Sequence, residues 1–183
     1  MVRTMNLFDT PAGFDDPIAM WMGCHRRIER QLATLERLCA RLATKETDAE
    51  ASAAAQAVLR YFERSGPDHH EDEDRDLFPL LARRITDAGE RERFVDLRVR
   101  LEHEHREMES AWARLRRPLE SISDGTAKAL PAADVEAFRA IYARHIPAED
   151  SAIPALVEKY LSREDLERLG RSMARRRGVP FPD

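Results

Sequence analysis

The chain has 183 residues, 35% of them charged, yet a net charge of only −4; the surface carries both signs densely, and no basic or acidic block selects a nucleic acid or any other highly charged partner. No run of about 18 apolar residues spans a bilayer, and Met1 to Pro17 lacks the apolar core of a secretory signal, so the reading is a cytoplasmic protein with no membrane partner. The length suits one domain, divided as an arm over 1–15, a helical domain over 16–178 and a tail over 179–183.

Asp16-Pro17 reads as an N-cap followed by proline at the first helical position. The first helix then carries Ile18, Trp21, Met22, His25, Ile28, Leu32, Leu35, Cys39 and Leu42 at three- and four-residue spacing. Cys24 and Cys39 would lie roughly 22 Å apart along it, too far to pair, and read as small buried hydrophobes. After a polar break over Lys45 to Asp48, an Ala-rich helix leads through Val58, Leu59, Tyr61 and Phe62. Ser65-Gly66-Pro67 is expected to interrupt it, because proline removes a donor and restricts its predecessor, with Asp68 capping a restart. His69 then falls in the first turn of the new segment, and Pro79 kinks it again, with Leu77, Leu80 and Leu81 packed below.

Thr86-Asp87 caps a long third helix with Phe94, Leu97, Leu101, His105, Met108, Trp112 and Leu115 on one stripe. His103 lies about 200° around the helix from His105, so only one can face the core, and the stripe selects His105. Asp124-Gly125 marks a turn, and Pro131 opens a fourth helix with Val135, Phe138, Tyr142, His145, Glu149, Ile153, Leu156 and Tyr160 on its stripe. Pro147 loosens one backbone bond inside it. Ser162 to Asp165 is a capping-box variant that starts a short fifth helix with Leu166, Leu169 and Met173. The basic run Arg175-Arg176-Arg177 ends that helix where the macrodipole favours cations, and it is read so rather than as a nucleic-acid contact. With no strand-like alternation, the expected fold is all-α, an antiparallel up-down four-helix bundle with a short additional C-terminal helix.

Chemistry enters through a repeat. His69 and Glu73 are four apart, which places them about 40° apart in projection on one helix face, able to reach one metal. His145 and Glu149 repeat the spacing, and each glutamate is followed by an aspartate. Upstream, His25-Arg26-Arg27-Ile28-Glu29 resembles His105-Arg106-Glu107-Met108-Glu109, with Leu35 and Leu115 each ten residues after their histidine. Six polar residues therefore fall on apolar stripes: His25, His69, Glu73, His105, His145 and Glu149. A buried ionised carboxylate without a partner costs several kcal/mol, and no lysine or arginine shares those stripes nearby. Four imidazoles and two carboxylates exceed one tetrahedral zinc and suit two metals bridged by the glutamates, iron or manganese rather than magnesium or calcium. His70 with Asp74, and Glu109, read as outer-layer or solvent residues; Tyr61 and Tyr142 read as core packing.

The ordered ligand set, with Leu77-Phe78-Pro79 and Arg171 to Gly178, resembles the hemerythrin HHE family of cation-binding domains over roughly Asp16 to Gly178. The resemblance implies a non-haem di-iron centre, with Glu73 and Glu149 as carboxylate bridges beside an oxo or hydroxo bridge, and with manganese or zinc as substitutes. It implies two kinds of function: binding or sensing a small diatomic ligand, O2 or NO, or holding iron; and redox or repair chemistry with a redox partner. Oxygen-carrying hemerythrins have a further histidine on the third helix and an aspartate on the fourth. Here Leu101 and Glu109 flank His105, and the fourth helix carries Glu149, a set closer to the di-iron proteins that repair iron–sulfur clusters. The small Cys-containing amino-terminal domain of those proteins has no counterpart in this sequence.

Overall fold

The computed structural model describes residues 13–182, and among them every regular element is helical. Residues 1–12 of the expected arm lie outside the described residues. Helix α1 (Pro17–Leu42) begins where Asp16 Oδ1 accepts from Ala19 N at 3.0 Å. Helix α2 (Ala49–Arg60) is capped in the same way by Asp48, which accepts from Ala51 N at 2.9 Å.

The expected break at Ser65-Gly66-Pro67 does not occur. The chain stays helical from 49 to 84, through a π turn (Tyr61–Ser65), α3 (Gly66–Glu71), a second π turn (Asp72–Leu77) and α4 (Phe78–Arg84). Asp68 therefore caps nothing. The Gly66 N–H reaches back five residues to Tyr61 C=O, and the Phe78 N–H reaches back five to Glu73 C=O. In each wide turn the five-back bond closes on the residue before a proline, where the ring would otherwise press on the carbonyl four residues back. Widening the turn removes that clash and lets the helix continue through Pro67 and Pro79.

Helix α5 (Ala88–Ser123) follows, capped by Asp87. Gly125, with φ +70, turns the chain, a conformation glycine takes without steric cost. Helix α6 (Ala132–Tyr160) starts one residue after Pro131, which serves as its N-cap rather than its first helical residue. Helix α7 (Arg163–Arg176) opens with a complete Ser162–Asp165 capping box. Helix α1 packs on α2, α2 on α5, α5 on α6, and α6 back on α1. No helix among the described residues is long and apolar enough to cross a membrane.

The core falls into two apolar clusters. One gathers Leu35, Val58, Phe62, Leu115 and Phe138; the other gathers Trp21, Phe78, Phe94, Leu101, Ile153 and Met173. Along α1, His25 lies between Trp21 of one cluster and Ile28 of the other; along α5, His105 lies between Leu101 and Met108. The polar stripe residues thus form a layer sealed by hydrocarbon on both sides.

Helix α7 packs against α1 and against the second π turn. Gly170 meets the Phe14 carbonyl so closely that a Cβ would have no room. Its far end reaches acidic groups: Arg176 bonds Glu71 at 3.1 Å, Asp76 at 2.6 Å and also Asp72, while Arg177 bonds Asp72 Oδ2 at 2.7 Å. The basic run is the helix C-terminus expected, and two of its arginines have this further task. Asp72 is 1% exposed, and burial still pushes its pKa up despite both guanidinium groups.

Candidate metal centre

All six stripe residues converge in the buried layer, each 2% exposed or less. His69 Nε2 lies 3.1 Å from Glu73 Oε1, and His145 Nε2 lies 3.2 Å from Glu149 Oε1, so both four-residue spacings deliver their pair to one point. The other two histidines complete the arrangement from α1 and α5. His25 Nε2 is 3.2 Å from Glu149 Oε2 and 3.9 Å from Glu73 Oε1; His105 Nε2 is 3.4 Å from Glu73 Oε2 and 3.2 Å from His145 Nε2. Each glutamate turns one oxygen toward each histidine pair.

Apart from the contact between His105 Nε2 and His145 Nε2, most of these atoms are close without bonding one another. His25 Nε2, Glu73 Oε2 and both Glu149 oxygens are buried with no hydrogen-bond partner among the described residues. Adjacent ligands on an ion at about 2.1 Å stand about 3.0 Å apart when octahedral and about 3.4 Å apart when tetrahedral, the spacing of most of these pairs. Two overlapping groups of four result: His25, His69, Glu73 and Glu149, and Glu73, His105, His145 and Glu149. Orphaned buried donors of this kind fit a pair of cations that share both carboxylates. A sequence profile described as Hemerythrin HHE cation binding domain matches residues 16–156, most of the chain. The chain belongs to the hemerythrin HHE cation-binding family. It is also 29% identical over 175 residues, 92% of its own length and 94% of the other's, to a Haemophilus influenzae protein described only as uncharacterized. The matched region of this HHE domain ends before α7 begins.

Behind the ring nitrogens of the candidate ligands in this HHE domain stands an outer layer of carboxylates. His25 Nδ1 is 2.7 Å from Asp150, His105 Nδ1 is 3.0 Å from Asp74, and His145 Nδ1 is 2.9 Å from Glu104. Such partners fix ring orientation and raise ligand basicity. Asp74 thus serves His105 and makes no pair with His70. Burial works against charging His25, but Glu149 and Glu73 outweigh it and raise its pKa to about 11; His145 rises to about 9 against the same burial, through Glu149 first. Glu73 shifts upward through burial and the facing Glu149 charge, whereas His145 and His25 hold Glu149 down despite its burial. The layer is built to draw positive charge.

The sequence choice between neighbouring histidines holds, since His103 is exposed and His105 buried. Glu109 is exposed and stands in neither group of four. His70 stacks on His105 at 4.1 Å with 13° between rings, its Nε2 buried and unpartnered. With Tyr142, Met108, Trp112, Phe62 and Phe138 it lines a cleft of about 240 Å³. Sequence reasoning missed Glu104, Asp72 and the indole of Trp21, whose Nε1–H donates to Glu73 Oε1 at 2.5 Å. Arg144 beside His145 was the available signal for Glu104, because it bonds that carboxylate across the helix pair at 2.9 Å.

Proposed function

We propose that this chain is a di-iron protein of antiparallel four-helix architecture that binds or senses a small diatomic ligand, O2 or NO, or holds iron for use elsewhere. The observation that carries the reading is the pair of four-residue groups sharing Glu73 and Glu149, with three of their four carboxylate oxygens buried and without a hydrogen-bond partner among the described residues. Mixed imidazole and carboxylate donors, four to a position, favour iron and leave coordination positions open. Iron, when bound there, supplies one-electron redox chemistry and affinity for small ligands. The protein's own part is to hold six donors rigid, to keep water out with the two apolar clusters, and to admit a small molecule. The cleft beside His70 suits that last task. Its inner wall of Phe62, Met108, Trp112, Phe138 and Tyr142 is largely apolar, matching an uncharged diatomic, while Glu71, Asp74, Arg75 and Glu109 also line it, and His70 stands between that wall and the ring of His105.

Elemental analysis of protein purified without added metal, read with its near-ultraviolet and visible spectrum, tests the reading. Two irons per chain, one for each group, with charge-transfer absorption support it. A folded protein that carries one zinc or no metal, and refuses iron, overturns it. The redox or repair alternative separates from the first reading by anaerobic reduction followed by O2 or NO titration. A stable, reversible adduct supports binding; oxidation with turnover supports the alternative.

A further inference from the structure

The two halves of the molecule superpose in sequence, His25 on His105 and His69 on His145, and the repeat exposes a difference between the two metal positions. Three of the four histidines have a carboxylate on Nδ1: Asp150 on His25, Asp74 on His105 and Glu104 on His145. The fourth does not. His69 Nδ1 is buried and has no hydrogen-bond partner among the described residues. The residue that corresponds to Glu104, immediately before its histidine, is Cys24. Its side chain ends short of where a glutamate oxygen would reach, and its sulfur instead accepts from Arg27 at 2.9 Å. A second difference points the same way. Trp21 donates its indole N–H to Glu73 Oε1, the oxygen that lies 3.1 Å from His69 Nε2, and so competes for an electron pair that a cation there would use. The residue corresponding to Trp21 is Leu101, which has nothing to donate.

We infer that the two metal positions are inequivalent, the His25–His69 position releasing and exchanging its ion while the His105–His145 position retains it. The inference rests on the di-iron reading above. A missing carboxylate behind a ligating histidine lowers metal affinity about 10- to 100-fold, and the Trp21 bond adds to the deficit. The protein would then hold one ion firmly and carry a second that solution or an acceptor of divalent cations can take.

The experiment uses the full chain loaded anaerobically with Fe(II) and titrated with a competing chelator. Release is expected in two steps separated about 10- to 100-fold in chelator concentration. Iron-edge anomalous diffraction from partly depleted crystals should show the His25–His69 position emptied first. Glu104→Gln, which keeps the shape and removes the charge, should bring the second step toward the first. Release of both irons in one step, first emptying of the His105–His145 position, or an unchanged second step in a folded Glu104→Gln protein overturns the inference. If that variant does not fold, the wild-type occupancies alone decide. A protein that takes up no iron overturns the di-iron reading itself, and two irons leaving together overturn only their inequivalence.

Discussion

The two His-x-x-x-Glu segments present the same ligand pair from different backbones. His145 and Glu149 stand on α6, an unbroken α-helix even though Pro147 lies between them and Pro154 follows. His69 and Glu73 run from α3 into a π turn, with a second π turn upstream, each turn closing just before Pro79 or Pro67. Pro79 lies six residues after Glu73, whereas Pro154 lies five after Glu149. That extra residue is what a π turn takes up. The nitrogen-to-oxygen distances nonetheless agree, 3.1 and 3.2 Å. Ligand geometry needs only one turn of helix, so the surrounding helix can be rebuilt at little cost to the site. The copies also differ one residue before the glutamate, where Asp72 stands opposite Ala148, and only the first copy requires cover from α7.

The largest effects should come from the shared ligands. Glu73→Ala or Glu149→Ala removes a donor from both positions and should abolish binding of both ions, while His69→Ala should empty one position; elemental analysis reads both. If free metal stands a thousandfold above its Kd, losing each ion also removes about 4 kcal/mol of stability by mass action. His103→Ala should leave metal content unchanged, and an equal loss from His103→Ala and His105→Ala would undo the assignment of α5.

The next largest effect tests the cover over Asp72. Replacing Arg176 and Arg177 together with alanine strands a carboxylate whose side chain is 2% exposed, at a cost of about 3–5 kcal/mol in urea denaturation. Asp72→Ala, which makes the first copy like the second, should cost clearly less, because both guanidinium groups keep a route to water and Arg176 keeps Glu71 and Asp76. Equal losses would show that α7 does not hold this charge.

A smaller effect should separate the prolines. Pro147 interrupts the bonding of an ordinary α-helix, and Pro147→Ala should stabilise by about 1–3 kcal/mol in thermal denaturation. Pro67 follows a turn already widened for it, and Pro67→Ala should change stability by about 0.5 kcal/mol or less. A like gain at both would mean that the π turn relieves nothing.

The helix stripes, the caps at Asp16, Asp87 and Ser162, and the burial of all six candidate ligands were legible because each depends on spacing within one helix. Continuity through Gly66-Pro67 was not, since the rule that proline ends a helix assumes α spacing and the wide turn escapes it. The outer carboxylates depend on a different helix from the one that carries them. Asp74 and Asp150 sit beside Glu73 and Glu149, yet which histidine each meets is decided by α5 and α1. Asp72 and the Arg176–Arg177 pair lie about a hundred residues apart. The acidic run and the basic run were each visible, but their pairing exists only after α7 folds back.

The smallest expected effect concerns the other end of α7, where Asp165 closes the capping box and meets Arg84 at 2.8 Å and Arg168 at 2.5 Å. The Arg84 guanidinium, ahead of the Ser162 bonds, holds its carboxyl well below its ordinary value of 3.8. A carboxylate depressed on folding stabilises the folded state above its unfolded pKa and loses that contribution as pH falls through the folded one. Docking of α7 should therefore be insensitive to pH above about 5 and weaken progressively below about 3.8. Amide exchange in α7, followed from pH 5 downward, should rise before exchange in α5. Asp165→Asn should flatten that dependence and cost about 1 kcal/mol near neutrality, the usual worth of an N-terminal capping interaction. Retention of the acid dependence in Asp165→Asn would move its origin to the Asp72 clamp, the second place where α7 rests on a buried carboxylate.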